Sequence, residues 1–475
     1  MFMPGKYEAP RKRVGGKILW ILLALALVLA LAFAAWKLVS RPAGDDTKPA
    51  PPATASGTTQ TPPVTTDPPT ETTLPEPEHV VATATIRAQG DLLMHGPIFD
   101  SASAAKQSDG TYDFSSVFRY IGEYMQAADF SIANLETTLR GSDMPYSGWP
   151  NFNCPDNLVD SAREAGMDAL LTANNHSYDT LMPGFLRTVE TVRAAGIPAL
   201  GTRLTEEEPR YLVQDINGIQ VGMVCYTYTT SMSGEKPRLN GNTPVENPAL
   251  VNYFSYQNLD AFYAELLEIK EQMEEDGAEA TIFFVHWGTE YEVTENSYQR
   301  TIAQAVCDLG FDAIIGSHPH VVQPAALLTG SQDPSHLTAC IYSMGNAVSN
   351  QRREKMNLNT GHTEDGAMFT VTFEKYSDGT VYLAGAELLP TWVNMHTGNE
   401  GVEYNILPLD DSTREEWQTL YQLTDQQYER ALASYDRTAA ITGTGMAAIQ
   451  QALADAKTAR DEAYLAAVGR TPVDS

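Results

Sequence analysis

Cysteine is scarce in this chain: four in 475 residues, at Cys154, Cys225, Cys307 and Cys340. So few cannot build a disulfide framework, and none has the paired spacing of a zinc–thiolate site. Cys225 and Cys340 sit in strand-like apolar runs and Cys307 in a helix-like run, so buried free thiols are expected. Basic residues are also few. The chain holds 31 Lys/Arg against 60 Asp/Glu, a formal net charge of −29. Residues 1–41 take seven of the bases and one of the acids, which leaves 24 against 59 and a net of −35 for the rest. That balance argues against nucleic acid as a partner and against nonspecific adhesion to anionic lipid or polymer. No internal repeat is visible. Long apolar runs are absent too, with one exception at Ile18 to Trp36.

That exception is uncharged throughout, and as a helix it spans roughly 28 Å, about one bilayer core. Lys6, Arg11, Lys12, Arg13 and Lys17 precede it. The positive-inside rule then predicts a single-pass signal anchor over 18–36 in the cell membrane, with residues 1–17 cytoplasmic and the main domain extracytoplasmic. A cleaved signal peptide is the alternative, but its candidate site, Ala32-Phe33-Ala34, lies inside the apolar run. Residues 42–78 are rich in Pro, Thr and Ser and nearly free of large apolar side chains. Such a segment cannot bury enough surface to offset its chain entropy, and it reads as a disordered linker.

From Val80 the pattern changes to that of a folded domain, taken as residues 80–400. Val81 to Gly90 alternates with period two, as a strand does. Strand-like runs then interleave with helix-like ones: Phe130 to Asn134, Asp156 to Ala165, Ala169 to Thr172, Gly184 to Ala195. A hairpin is expected at Asn217-Gly218. Leu259 to Glu275 and Tyr298 to Leu309 read as helices, and Thr281 to Val285, Ala313 to Gly316 and Thr338 to Met344 as strands. This alternation predicts an α/β domain with a mixed sheet or two stacked sheets. Over 410–470 the texture is helical. Ser412-x-x-Glu415 reads as a capping box, and Gly443-Thr-Gly445 as a break before a second helix from about Met446.

The chemistry gathers where apolar runs end. Gly90-Asp91, Asn174-Asn175-His176, His286-Trp287-Gly288 and Ser317-His318-Pro319-His320 each follow such a run. Carboxylate, amide and imidazole are the ligand types of zinc, manganese and iron. Strands of one sheet finish along a common edge, so these groups can converge. His318 and His320 are expected on one side of an extended segment, because side chains alternate along a strand. Plainer readings exist for each: Asp91 as a turn residue, Glu136 and Asn134 as caps, His286 as a satisfied core histidine.

These residues resemble the CapA family, named for the bacterial poly-γ-glutamate capsule synthesis protein. The resemblance covers about residues 83–350. It rests on Gly90-Asp91, Asn134-Leu135-Glu136, Thr172 to His176 with Asp179, His286 to Glu290, Asp312 to Pro324 and Tyr342 to Asn346. It implies a calcineurin-like metallophosphoesterase fold, with two stacked mixed β-sheets flanked by helices. It also implies one or two divalent ions (Mn, Zn or Fe) held by Asp91, Glu136, Asn175, His286, His318 and His320. By the same resemblance, His286 and His318 bind one ion and His320 the other. His176 is the catalytic imidazole oriented by Asp179, and Asn134, Glu290 and Asn346 are expected to contact substrate. Where those phosphoesterases carry Asp-x-His on the first strand, this chain has Asp91-Leu92-Leu93, with His95 two residues further on. The implied role is synthesis or attachment of poly-γ-glutamate or a related surface polymer by a metal-dependent hydrolase or transferase. The alternatives are a non-enzymatic assembly subunit of a membrane polymer synthase and a phosphoesterase of cell-envelope or nucleotide substrates. Arg140, Arg300, Arg352 and Arg353 are the local cations expected to help attract an anionic polymer or phosphoester.

Overall fold

The computed structural model describes residues 79–358 and 360–467. The expected anchor at 18–36, the basic segment 1–17 and the linker 42–78 lie outside them. Among the described residues no helix is long and apolar enough to cross a membrane.

The fold is mixed α/β, built on two large sheets. The first sheet runs Gly401–Pro408, Val381–Gly398, Asp365–Tyr376, Val80–Leu92, Phe130–Leu135, Ala169–Leu171, Ala199–Leu200. From Val80–Leu92 onward its neighbours are parallel, and on the other side antiparallel. Asn346–Val348 pairs with the end of the first strand, with Asn346 opposite Asp91. The second sheet runs Tyr253–Phe254, Ile219–Tyr228, Ala280–His286, Ala313–Ser317, Leu337–Ile341, Ala325–Thr329, and Leu212–Ile216 pairs with Ile219–Tyr228. The turn between those last two strands uses Asn217 and Gly218, both at positive φ (54° and 86°), as an Asn-Gly hairpin requires.

One apolar cluster takes Ile86, Ala88, Ile132, Phe369 and Val371 from the first sheet and Val221, Met223, Ile282, Phe284 and Ile315 from the second. The sheets therefore face one another. Phe283 and Val285 point the other way, onto Leu266, Ile269 and Met273 of the Leu259–Glu275 helix and Ile302 and Val306 of the Ser297–Asp308 helix. A strand covered on both faces reads as an unbroken apolar run, which explains Ala280–His286. Gly316 shows how tight the neighbouring strand is. A Cβ there would lie 2.0 Å from the Tyr342 carbonyl oxygen and 2.6 Å from the Trp287 Nε1. All four cysteines are free and buried.

Two expectations for the C-terminal part are corrected. Ser412 does not open a capping box; Asp410 caps a 3-10 turn over Asp411–Glu416 by accepting from the Ser412 N–H. Nor do Gly443 and Gly445 break the chain into two helices. One helix runs Asp425–Ala467. The glycine at 445 serves close approach: a Cβ would sit 1.7 Å from the Ala325 carbonyl oxygen. This helix packs on Val381–Gly398 of the first sheet and Ala325–Thr329 of the second, with Met446, Ile449 and Leu453 in the inter-sheet core. Arg437 fixes it by a bidentate pair to Asp365, at 2.7 Å from Nε and 2.6 Å from Nη2, and Ser434 adds a bond of 2.6 Å. Arg437→Ala leaves the buried Asp365 carboxylate with little compensation. The expected loss is about 2 kcal/mol, below the roughly 3–5 kcal/mol of a fully buried pair because Arg437 keeps some solvent. A urea titration monitored by tryptophan fluorescence measures it.

Candidate metal centre

The parallel strands of both sheets end along one edge, and the polar residues stand there. Asp91 closes the first strand. Asn134 and Glu136 stand at the end of Phe130–Leu135, and Asn174 to His176 follow Ala169–Leu171. His286 ends its strand, and His318 and His320 follow Ala313–Ser317. All of these are buried.

Glu136 is the centre. It is fully buried, and neither carboxylate oxygen has a hydrogen-bond partner. Its Oε1 lies 3.4 Å from His286 Nε2, 3.8 Å from His320 Nε2 and 4.0 Å from His176 Nε2. His286 Nε2 is also 2.7 Å from Asn175 Oδ1 and 3.1 Å from His318 Nδ1. His320 Nδ1 is 3.2 Å from Asp91 Oδ2. Two triads of possible ligand atoms lie within 4.8 Å of one another: Glu136, His318 and His320, and Asp91, Glu136 and His286. Glu136 belongs to both. His318 stands with His320 in the first triad, and it also lies 3.1 Å from His286, the partner expected to share an ion with it.

Electrostatics agree with this geometry. Burial pushes the Glu136 carboxyl well above the usual carboxylate range, and the charges of Asp91, Glu290 and Asp179 push it further. Burial pushes the His286 and His318 imidazoles well below their ordinary range, helped by their neighbouring histidines. Neutral imidazoles and a buried carboxylate without a donor form a ligand set that a divalent cation satisfies. The residues present thus fit a metal.

The path of the chain through the two histidines is not extended, contrary to expectation. His318 has φ 99° and His320 φ 56°. Both lie in the left-handed region, which costs of order 1–3 kcal/mol per non-glycine residue and is found where function holds a side chain in place. The turn leaves their ring centroids 5.9 Å apart. Tyr228 packs on His318 at 4.8 Å and Tyr291 on His320 at 6.2 Å.

A second layer holds the ligands. Asn134 Nδ2 donates to Asp91 Oδ1 at 2.8 Å, and its Oδ1 accepts from Asn174 at 3.2 Å. Ser317 Oγ lies 2.9 Å from His286 Nδ1. Asn346 Nδ2 donates to the carbonyls of His320 and Thr363 and to Gln351, at 3.0–3.1 Å. Asn134 and Asn346 are therefore internal, while Glu290 is exposed on the turn after Trp287-Gly288. His176 Nδ1 donates to Asp179 Oδ2 at 2.7 Å, since a carboxylate only accepts. Asp179 also accepts from the Phe152 N–H at 2.7 Å, from Asn240 at 3.1 Å and from Asn242 at 3.2 Å. Sequence reasoning missed Asn240 and Asn242. They stand in an irregular stretch with neither period nor motif, so no signal marked them. Ser317 opens the Ser317-His318-Pro319-His320 motif, and its contact with His286 is the part that only the fold shows.

The arginines expected to attract substrate are already paired. Arg140 faces Asp143 at 3.4 Å, Arg300 faces Glu295 at 3.1 Å, and Arg352 and Arg353 both face Glu364, at 3.2 and 3.1 Å.

His95 approaches this centre but is in neither triad. Its ring meets Phe152 edge-on at 5.3 Å, and Phe152 in turn meets His176 at 4.7 Å. Burial, opposed by the Leu93 carbonyl and aided by His320 and His176, pulls its pKa from 6.5 down to about 4. Between those values the unfolded chain binds the proton and the folded chain does not. Stability therefore falls as pH drops from about 6.5 towards 4. The full shift is worth about 3 kcal/mol. We expect about 2 kcal/mol because the ring keeps some contact with solvent. His95→Gln removes that part of the slope, readable as the difference between urea midpoints of the two chains at pH 4 and pH 7.

A family model for the bacterial capsule synthesis protein PGA_cap matches residues 85–351, more than half the chain. The chain belongs to this family. It is 26% identical over 266 residues to the PGA biosynthesis protein CapA of Bacillus subtilis (strain 168), covering 55% of this chain and 62% of that protein. It is 25% identical over 272 residues to the capsule biosynthesis protein CapA of Bacillus anthracis, covering 56% of this chain and 60% of that one. The chain thus spans about three fifths of the length of these relatives.

Proposed function

We propose that the protein is a membrane-anchored, extracytoplasmic member of the family that acts in making or attaching poly-γ-glutamate or a related surface polymer, as a metal-dependent hydrolase or transferase. The observation that carries the chemistry is Glu136, a partnerless buried carboxylate ringed by three imidazoles. The names of the two relatives support the polymer role. Two facing mixed sheets with a ligand set on one edge suit a metallophosphoesterase type of architecture.

In this reading Asp91, Glu136, Asn175, His286, His318 and His320 hold one or two divalent ions. Bound there, such ions supply Lewis acidity and a water of lowered pKa. The remaining work belongs to the chain. Asp179 holds the Nδ1 proton of His176 and fixes the ring, so the Nε2 edge, facing Glu136, is the one that exchanges a proton with a leaving group. Tyr228, Phe152 and Tyr291 limit water around the imidazoles. The chain carries a net charge of −29, so an anionic substrate would depend on bound metal for attraction.

The test is turnover by the full-length chain of a poly-γ-glutamate oligomer and of an aryl phosphate, with added divalent metal and with EDTA. Metal-dependent release of product from either supports the reading, and the substrate that reacts selects between polymer and phosphoester. No turnover of either with any divalent ion overturns it in favour of a non-enzymatic assembly role.

A further inference from the structure

A second site stands apart from the metal centre, at the edge of the first sheet. Arg203 follows the Ala199–Leu200 strand, and its N–H donates to the Leu250 carbonyl at 2.9 Å. The residue is only 4% exposed. Its Nη1 donates to Asn252 Oδ1 at 2.8 Å, an Nη2 proton goes to the Ala249 carbonyl, and Nε has no partner. Among the described residues no carboxylate pairs with it. Arg210 Nε donates to the same Asn252 Oδ1 at 3.1 Å. Two guanidinium groups thus share one neutral amide oxygen. Glu265 pairs with Arg210 at 2.7 Å, and toward Arg203 it and Glu208 act only from beyond contact.

A buried cation without a counter-ion is costly, and chains seldom keep one without a use for it. Burial and the neighbouring Arg210 pull the Arg203 pKa down to about 10, so its charge persists at neutral pH. Arg193, Arg203 and Arg210 line a cavity of about 140 Å³ with Leu200 and Tyr211. Glu208 is the one acid in that lining, and Arg193 already holds it at 2.5 Å. This excess of positive charge sits in a chain whose net charge is −29. The cavity has room for a few waters or one small anion, not for a polymer.

We propose that this cavity binds a small oxyanion, a carboxylate or phosphate, on Arg203 and Arg210. A planar guanidinium matches the oxygen pair of either group. The cavity shares no residue with the metal centre, so the site stands or falls independently of the reaction proposed there.

Thermal melting of the full-length chain in EDTA tests it, with inorganic phosphate, glutarate, or sodium chloride at matched ionic strength. EDTA removes any contribution from a metal-bound anion. One of the two anions is expected to raise the midpoint saturably beyond chloride, as a ligand of the native state does. Which one does so tells phosphate from carboxylate. In Arg203→Met the half-saturating concentration is expected to rise about tenfold or more, the scale of one lost charged hydrogen bond. Arg210→Gln, at a less buried position, is expected to weaken binding in the same direction and carries the test if Arg203→Met does not fold. The proposal is overturned if neither anion acts beyond chloride, or if the folded variants respond as the parent does.

Discussion

Replacing His318 and His320 together by Ala is expected to weaken divalent-metal binding by more than about 100-fold, beyond what loss of an outer-shell partner costs. The two imidazoles make up two thirds of one triad, and Glu136 alone cannot replace them. Competition against a chromogenic chelator measures the change, and equal affinity in the parent and the double variant would sink the metal centre. Folding needs its own control. Ala at two positive-φ positions carries some strain, so the far-UV circular dichroism and the melting midpoint in EDTA should stay near those of the parent. Stoichiometry adds a sharper reading. Asp91→Ala removes one triad only, whereas Glu136→Gln damages both. If two ions bind, Asp91→Ala halves the metal per chain while Glu136→Gln weakens every ion.

How much of this centre the sequence revealed depends on the kind of signal. Ends of apolar runs were legible because a strand buried on both faces leaves an unbroken apolar stretch and a polar stop. His286 and the 317–320 stretch stand at such stops, while Asp91 ends a strand marked by period-two alternation, and the two patterns together give the mixed α/β class. What failed was local geometry. Period-two alternation placed His318 and His320 on one side of an extended segment, but the strand ends at Ser317 and the chain enters the left-handed region. The local sequence restricts only His318, through Pro319; in the fold Tyr228 and Tyr291 pack on the two rings, and the Pro319 carbonyl accepts from the Tyr291 N–H at 2.8 Å. Gly443-Thr-Gly445 failed for a related reason. Glycine lowers helix propensity, yet at 445 it is needed for contact with Ala325, and packing overrides propensity. Charge was the least legible feature. The sequence shows where arginines are but not whom they face. The four expected to meet substrate are paired with acids, and Arg203, buried with no carboxylate in contact and a partnerless Nε, sits in a stretch with no motif.

The second large effect separates catalysis from metal holding. On an aryl phosphate, with metal loaded, His176→Ala is expected to lower kcat/KM by about 10²–10⁴, the usual contribution of a positioned general acid or base. His176 belongs to neither triad, so the metal content of this variant should match the parent. That combination, a lost rate with retained metal, is what a purely structural histidine would not give. Asp179→Asn should fall between the two, at about 10–100-fold, because the amide keeps the contact to Nδ1 but can no longer stabilise an imidazolium. The loss should be larger in kcat than in KM, since Asp179 is held by Phe152, Asn240 and Asn242 behind the His176 ring and acts through it. Unchanged rates in His176→Ala would remove this imidazole from the reaction. The residues that would hold a divalent ion, with Glu136 in both triads, would then be the chemistry left at the strand ends.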